Sequence, residues 1–287
     1  MACQPKNNDD TDSAQKDSTT KGVFMLQPAK VGLLPYSKTL QDSTDMAIVK
    51  TIFNEASLEG EYWKVSKAQL ENDTALVSKF NRFFKQSNDY DGDKFLVKVD
   101  HKSVMTESNG TQRLFTYLSI TFEGNDCHVC APLVGTGFWN QVKGSWELDH
   151  FRIFDHTGKY GIAPSAEVVE IKKDEWALDL GIADIHMGYY SEYMFLVHPK
   201  QEYKSIFSTS THLDNSGACD TDGSDNTFGK CFEYDLKYTI QKSAKDYYTI
   251  ETHKTGSEKD YDKDIIVENI DEKKIHTFHF GKYEEKK

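Results

Sequence analysis

The chain has 287 residues, of which 38% are hydrophobic, 13% aromatic and 28% charged, a composition that supports a folded core without metal or disulfide staples. Lys and Arg number 34 against 46 Asp and Glu, giving a net charge of −12 whose field repels phosphate backbones and sets nucleic acid aside as a partner. No run of about 18 apolar residues occurs, so the sequence holds no candidate transmembrane helix.

From Cys3 to Lys21 the chain reads CQPKNNDDTDSAQKDSTTK, without one large apolar side chain. Such a segment buries too little to offset the entropy of ordering it. A polar tether beginning at a cysteine resembles the mature end of bacterial lipoproteins, where a signal peptide is cut just before an acylated cysteine, and Ala2 matches the small residue before that cut. The resemblance implies that Cys3 carries lipid and anchors the chain to a membrane. Gln4 rather than Asp after the cysteine implies the outer membrane, with the body facing the periplasm or the cell surface.

Residues 1-22 are therefore expected as a flexible tether, followed by a helix-containing region over 23-92. Within it, Asp73 can cap a helix carrying Leu76, Phe80, Phe83 and Phe84 on one face. A second helix is expected near Ser43, with Met46, Val49 and Phe53 facing the core. After Asp93 the pattern turns to short alternating runs broken by Gly, Asn, Asp and Pro, which predicts strands across 93-287. Expected strands run from Leu114 to Phe122, Trp146 to Phe154, Glu167 to Ile171, Glu175 to Leu180, Tyr189 to His198, Tyr203 to Thr211, Phe232 to Ile240 and Ile275 to Phe280. Strands at this frequency without intervening helices predict an α+β fold that is predominantly antiparallel β, as a sandwich, meander or irregular barrel with a small helical N-terminal part. The regions 23-92 and 93-287 form one domain or two that meet between Gln86 and Lys102.

Five cysteines fall as Cys3, the close pair Cys127 and Cys130, and the spaced pair Cys219 and Cys231. In an oxidising envelope this suggests two local disulfides and one cysteine kept for the anchor. Cys127-His128-Val129-Cys130 admits three readings: a disulfide-closed turn, a thiol-redox pair, or a zinc site using both sulfurs and His128. A redox pair needs a helix after its first cysteine, and Gly135 and Gly137 argue against one. The loop between Cys219 and Cys231 offers Asp220, Asp222 and Asp225, but its spacing departs from calcium-loop order. Asp89, Asp91, Asp93 and Asp100 fall at positions one, three, five and twelve of a calcium-type loop, although Lys94 occupies the sixth, where glycine is required.

The chain carries no G-x-S-x-G elbow, no phosphate-cradling G-x-x-x-x-G-K-[ST] and no H-E-x-x-H. DCHVCAPLVG, Trp146-Glu147-Leu148, DNSGACD and CFEYD together resemble uncharacterised proteobacterial lipoproteins, a resemblance that implies an envelope location and no particular chemistry. Binding of another protein without catalysis is the function expected, with Tyr189, Tyr190, Tyr193, Tyr247 and Tyr248 as candidate anchors. Alternatives are an immunity lipoprotein that neutralises a toxin, and a metal-binding or redox protein built on the CHVC turn.

Overall fold

The computed structural model of the chain describes residues 38–53, 56–66, 94–121, 131–154, 158–201, 203–219, 230–243 and 246–286. The tether with Cys3, the helix expected after Asp73, the loop carboxylates Asp89, Asp91 and Asp93, and Cys127, His128 and Cys130 lie outside the described residues.

The helix expected near Ser43 is α1, Asp45–Ile52. Thr44 caps it, its hydroxyl accepting from the Ala47 amide at 3.3 Å, while Asp45 in the first turn and Lys50 in the last match the helix dipole. Ile48, Val49 and Ile52 are buried, and Phe53 beyond the helix end is buried too. Met46, expected on the core face, is exposed. Lys102 explains how the helix is oriented: its ammonium binds both the Asp45 carboxylate and the Ser43 carbonyl, turning the Met46 side of the first turn outward.

Two antiparallel sheets make up the body. The first is ordered β1-β7-β6-β5-β4-β3-β2, from β1 (Thr39–Leu40), β2 (Ala56–Glu59), β3 (Tyr62–Ser66), β4 (Lys94–Thr106), β5 (Gln112–Thr121), β6 (Leu133–Val142) and β7 (Ser145–Phe154). Because β1 and β2 lie at opposite edges, the chain between them must cross the sheet, and α1 makes that crossing. The strands β2 and β3 fall inside the helix-containing region 23-92, where no strand was expected. Tyr62, Trp63 and Val65 are aromatic and β-branched residues that suit a pleated surface, and β3 pairs with β4 from Trp63↔Val97 to Ser66↔Lys94. The sheet thus runs across residue 93.

The second sheet is a plain meander in chain order: β8 (Ser165–Lys172), β9 (Glu175–His186), β10 (Tyr189–His198), β11 (Lys204–Asp214), β12 (Glu233–Gln241), β13 (Thr249–Asp260), β14 (Ile265–His279) and β15 (Lys282–Glu285). Two-residue turns join β6 to β7 and β9 to β10, and both residues have positive φ, as in Met187 (49°) and Gly188 (82°). This turn matches the right-handed twist of the strands it joins. Gly188 also has no room for a side chain, since a Cβ there would sit 2.3 Å from the Gly217 carbonyl oxygen.

Three cores follow from the alternation of side chains. One face of the first sheet packs on α1 through Leu40, Val65, Phe95, Val97, Leu118, Trp139 and Ile153. Its other face meets the second sheet through Phe115, Tyr117, Val134, Phe138 and Phe154 against Leu178, Leu180, Phe195, Val197 and Tyr203. The far face of the second sheet folds over itself, with Ile171, Met194, Leu196 and Ile206 under Ile250 and Tyr283. A backbone hydrogen bond of 2.7 Å from Tyr248 to the Ile171 carbonyl ties the start of β13 to β8.

Candidate functional site

The two sheets are not pressed together along their whole length. At the end where β3, β4 and β5 face β9 and β10, they diverge into a cleft of about 650 Å³. Tyr62, Lys98, Asp100, Ser119 and Thr121 form the first wall. The second is built from Ile162 to Ser165, with Ile182, Tyr193 and Thr211. The volume is in the range of small-molecule sites.

Asp100 reaches this wall because it shares with Lys98 the face of β4 opposite Phe95, Val97 and Val99, and β4 is bulged at this residue. Register runs Val99↔Leu118 and then His101↔Tyr117, leaving Asp100 unpaired. A bulge shifts the alternation by one residue and re-aims the side chains that follow it. Phe95, Val97 and Val99 face the helix, whereas His101 and Met105 beyond the bulge face the second sheet. The Asp100 carboxyl is open to solvent by area, yet protein surrounds it on most sides, as expected of a group on the wall of a concavity. That crowding raises its pKa, opposed by hydrogen bonds from the Ser119 side chain and backbone and by the charge of Lys98. Lys98 is itself held: its ammonium binds Glu61 at 2.8 Å and lies 5.7 Å from the Tyr62 ring centroid. The hydrogen bond to Glu61 raises the Lys98 pKa.

Below the cleft floor the sheets are joined by a hydrogen-bonded chain. Thr136 donates to the Tyr203 hydroxyl at 3.1 Å, Tyr203 lies 3.0 Å from His150 Nε2, and His150 Nδ1 lies 3.0 Å from Asp149. A neutral His150 protonated on Nδ1 satisfies every member. Burial lowers the His150 pKa, against the raising effect of Asp149. The Asp-His-hydroxyl order is that of a catalytic relay, but Tyr203 is fully buried and the space beside it is about 10 Å³, no more than one water. No substrate reaches it there, and its role is to clasp the two sheets. A second such cluster holds Glu175 between His198 Nε2 (2.6 Å) and the Tyr247 hydroxyl (2.7 Å). Burial works to raise the Glu175 pKa, but these two hydrogen bonds outweigh it and the net shift is downward.

Of the residues singled out in the sequence, Asp100 and Tyr193 line the cleft. Tyr189 and Tyr190 are half-buried, and Tyr248 is buried. Tyr247 stacks on Phe278 with ring centroids 3.7 Å apart, which takes it out of the set of anchors. Cys219 and Cys231 form a disulfide. Among the described residues no group of three or more His, Cys, Asp or Glu side chains is gathered as metal ligands. The segment after Pro132 is the strand β6, with Gly135 and Gly137 inside it; a Cβ on Gly135 would meet the Phe151 ring at 2.6 Å. Lys98, Ser119, Ser165 and Thr211 were not anticipated as cleft residues. Nothing in their local sequence marks them, because the walls they form come from strands of different sheets.

The fold and cleft define an all-antiparallel two-sheet protein with an open inter-sheet site. No family model, no curated protein and no solved structure matches the chain.

Proposed function

We propose that the protein acts by binding and not by turnover: anchored to a bacterial membrane through an acylated Cys3, it holds a macromolecular partner of the cell envelope at the open end between its sheets. The observation that carries this reading is the cleft. Its charged groups are held by partners of the same chain, Lys98 by Glu61, Asp100 by Ser119 and Glu192 by Tyr190, so they are fixed in place for recognition and not poised for proton transfer. The apolar surface beside it suits a large partner. Ile162 at the cleft is strongly exposed, and the Tyr160 hydroxyl of the same turn binds the carbonyl of Ile185, which is exposed together with Met187.

Capture from detergent-solubilised envelopes tests this, with the full acylated chain as bait beside Ser165→Trp, which places an indole at the cleft wall from an exposed position. A stoichiometric partner retained by the native chain and lost by the variant supports the reading. Equal capture by both, or none by either, overturns it.

A further inference from the structure

We infer that the cleft recognises a neutral, polyhydroxylated ligand, a saccharide unit, through Asp100 and Lys98 on one wall and the facing Tyr62 and Tyr193 rings. This deepens the binding reading and rests on it. Three features of the lining select the chemistry.

The first is charge. Asp100 and the Lys98–Glu61 pair leave the cleft without net positive charge, so a phosphate or carboxylate ligand would meet Asp100 without a cation to spare for it. The two carboxylates that line the cleft, Asp100 and Glu192, likewise fall short of the several oxygen ligands a hard cation needs, and Glu192 already accepts from the Tyr190 hydroxyl. The second is the density of hydroxyl-bearing side chains. Tyr62, Ser119, Thr121, Ser165, Tyr193 and Thr211 all line the same space. A purely hydrocarbon ligand would strip water from Asp100 and Lys98 and return no hydrogen bonds, which is strongly unfavourable. A hydroxylated ligand returns them. A carboxylate has acceptor capacity beyond the two hydrogen bonds from Ser119, and an ammonium has donors beyond the one given to Glu61.

The third is the pair of aromatic residues on opposite walls. Tyr62 belongs to β3 of the first sheet and Tyr193 to β10 of the second. Aromatic faces suit the apolar C–H face of a sugar ring, while the polar groups between them take its hydroxyl edge. The volume of about 650 Å³ holds one to two such rings with water. Asp100 is the keystone because it sets an acceptor on the cleft face of β4 beside Lys98, at the bulge where it has no partner on β5.

The test is calorimetric titration of the full chain with neutral probes: N-acetylglucosamine and its linear oligomers, lactose and maltotriose. Inorganic phosphate, glycine and a short-chain fatty acid serve as the other chemical classes. At least one neutral saccharide is expected to bind. Asp100→Ala should weaken it by about tenfold or more, the scale of a hydrogen bond to a charged group. Ser165→Trp, at an exposed cleft position, should abolish binding with the melting temperature unchanged, which guards against loss of fold in the Asp100 variant. Binding of phosphate, glycine or fatty acid but of no saccharide overturns the inference and leaves the binding reading standing. Saccharide binding that survives Ser165→Trp also overturns it. No binding of any probe, with envelope capture still lost in Ser165→Trp, rejects the saccharide assignment alone; loss of neither rejects both.

Discussion

The Tyr203 hydroxyl lies 3.0 Å from His150 Nε2, so a residue leading into β11 of the second sheet is hydrogen-bonded to one on β7 of the first. Tyr203 is placed there by a strained backbone, with φ of 58°, a region that costs a non-glycine residue on the order of 1 kcal/mol. The strain is offset by full burial against Phe154, at a ring-centroid distance of 4.6 Å, and by the bonds to Thr136 and His150.

Two tyrosines in this interface should respond oppositely to loss of a hydroxyl. Tyr203→Phe leaves His150 and Thr136 without their partner in the core and should destabilise the protein by about 1–3 kcal/mol. The Tyr117 hydroxyl is buried with no hydrogen-bond partner among the described residues, so Tyr117→Phe should be neutral or stabilising by up to about 1 kcal/mol. Urea denaturation of the two variants at pH 7.5 measures both. Equal destabilisation would contradict the clasp.

Burial holds the His150 pKa below its ordinary value of 6.5. On acidification the unfolded chain therefore takes up a proton first, so the contribution of His150 is complete above pH 6.5 and is lost as pH falls below it. His150→Gln should flatten that part of the stability profile between pH 7.5 and 5. A variant with the native slope would mean that His150 titrates normally.

Asp179 acts with the opposite sign. Burial, and secondarily the charge of Glu167 across the β8–β9 pair, pushes its pKa up to about 6. The folded chain holds a proton there that the unfolded chain has already released, so stability falls as pH rises from about 4 through 6. Asp179→Asn should remove this penalty and stabilise the protein at pH 7.5 by about 1–3 kcal/mol. Because the two groups oppose one another near pH 6, the variants and not the native profile resolve them. A destabilised Asp179→Asn would show that the carboxylate makes a contact that outweighs its desolvation.

The disulfide between Cys219 and Cys231, separated by 12 residues, closes the loop between β11 and β12. Asn215 anchors the same junction, its side chain accepting from the Phe232 amide at 2.7 Å. Replacing both cysteines by serine should cost about 2–3 kcal/mol in the chain-entropy account. Thermal melting with and without reductant checks it, and an unchanged midpoint would mean that the loop contributes nothing to the unfolded-state entropy.

Where alternation was unbroken, the strands were legible: Tyr189–His198 matches its expected limits, and on β12 Tyr234, Leu236, Tyr238 and Ile240 share one face as anticipated. The spaced cysteine pair was also legible, because local loops favour local pairing. Other elements were hidden for separate physical reasons. In β4 the bulge at Asp100 reverses the face to which odd-numbered residues point, so Phe95 and Val97 serve one core and Met105 another. In β6 the two glycines argued against a helix and gave no sign of a strand, whereas the Phe151 ring and the Trp139 indole occupy the space their side chains would need. The turns Lys143-Gly144, Met187-Gly188 and Phe280-Gly281 carry Lys, Met and Phe where Asn or Asp would have advertised a hairpin. The cleft itself could not be read at all, since its walls come from strands of different sheets.

Hydrogen exchange of the full chain, with and without detergent-solubilised membranes from the producing cells, tests the proposed binding account most directly. Bound partner should slow exchange in the segments that wall the cleft, around residues 96–100, 117–121, 161–165 and 191–194. Protection confined to the β13–β14 hairpin, or no protection at all, would contradict it.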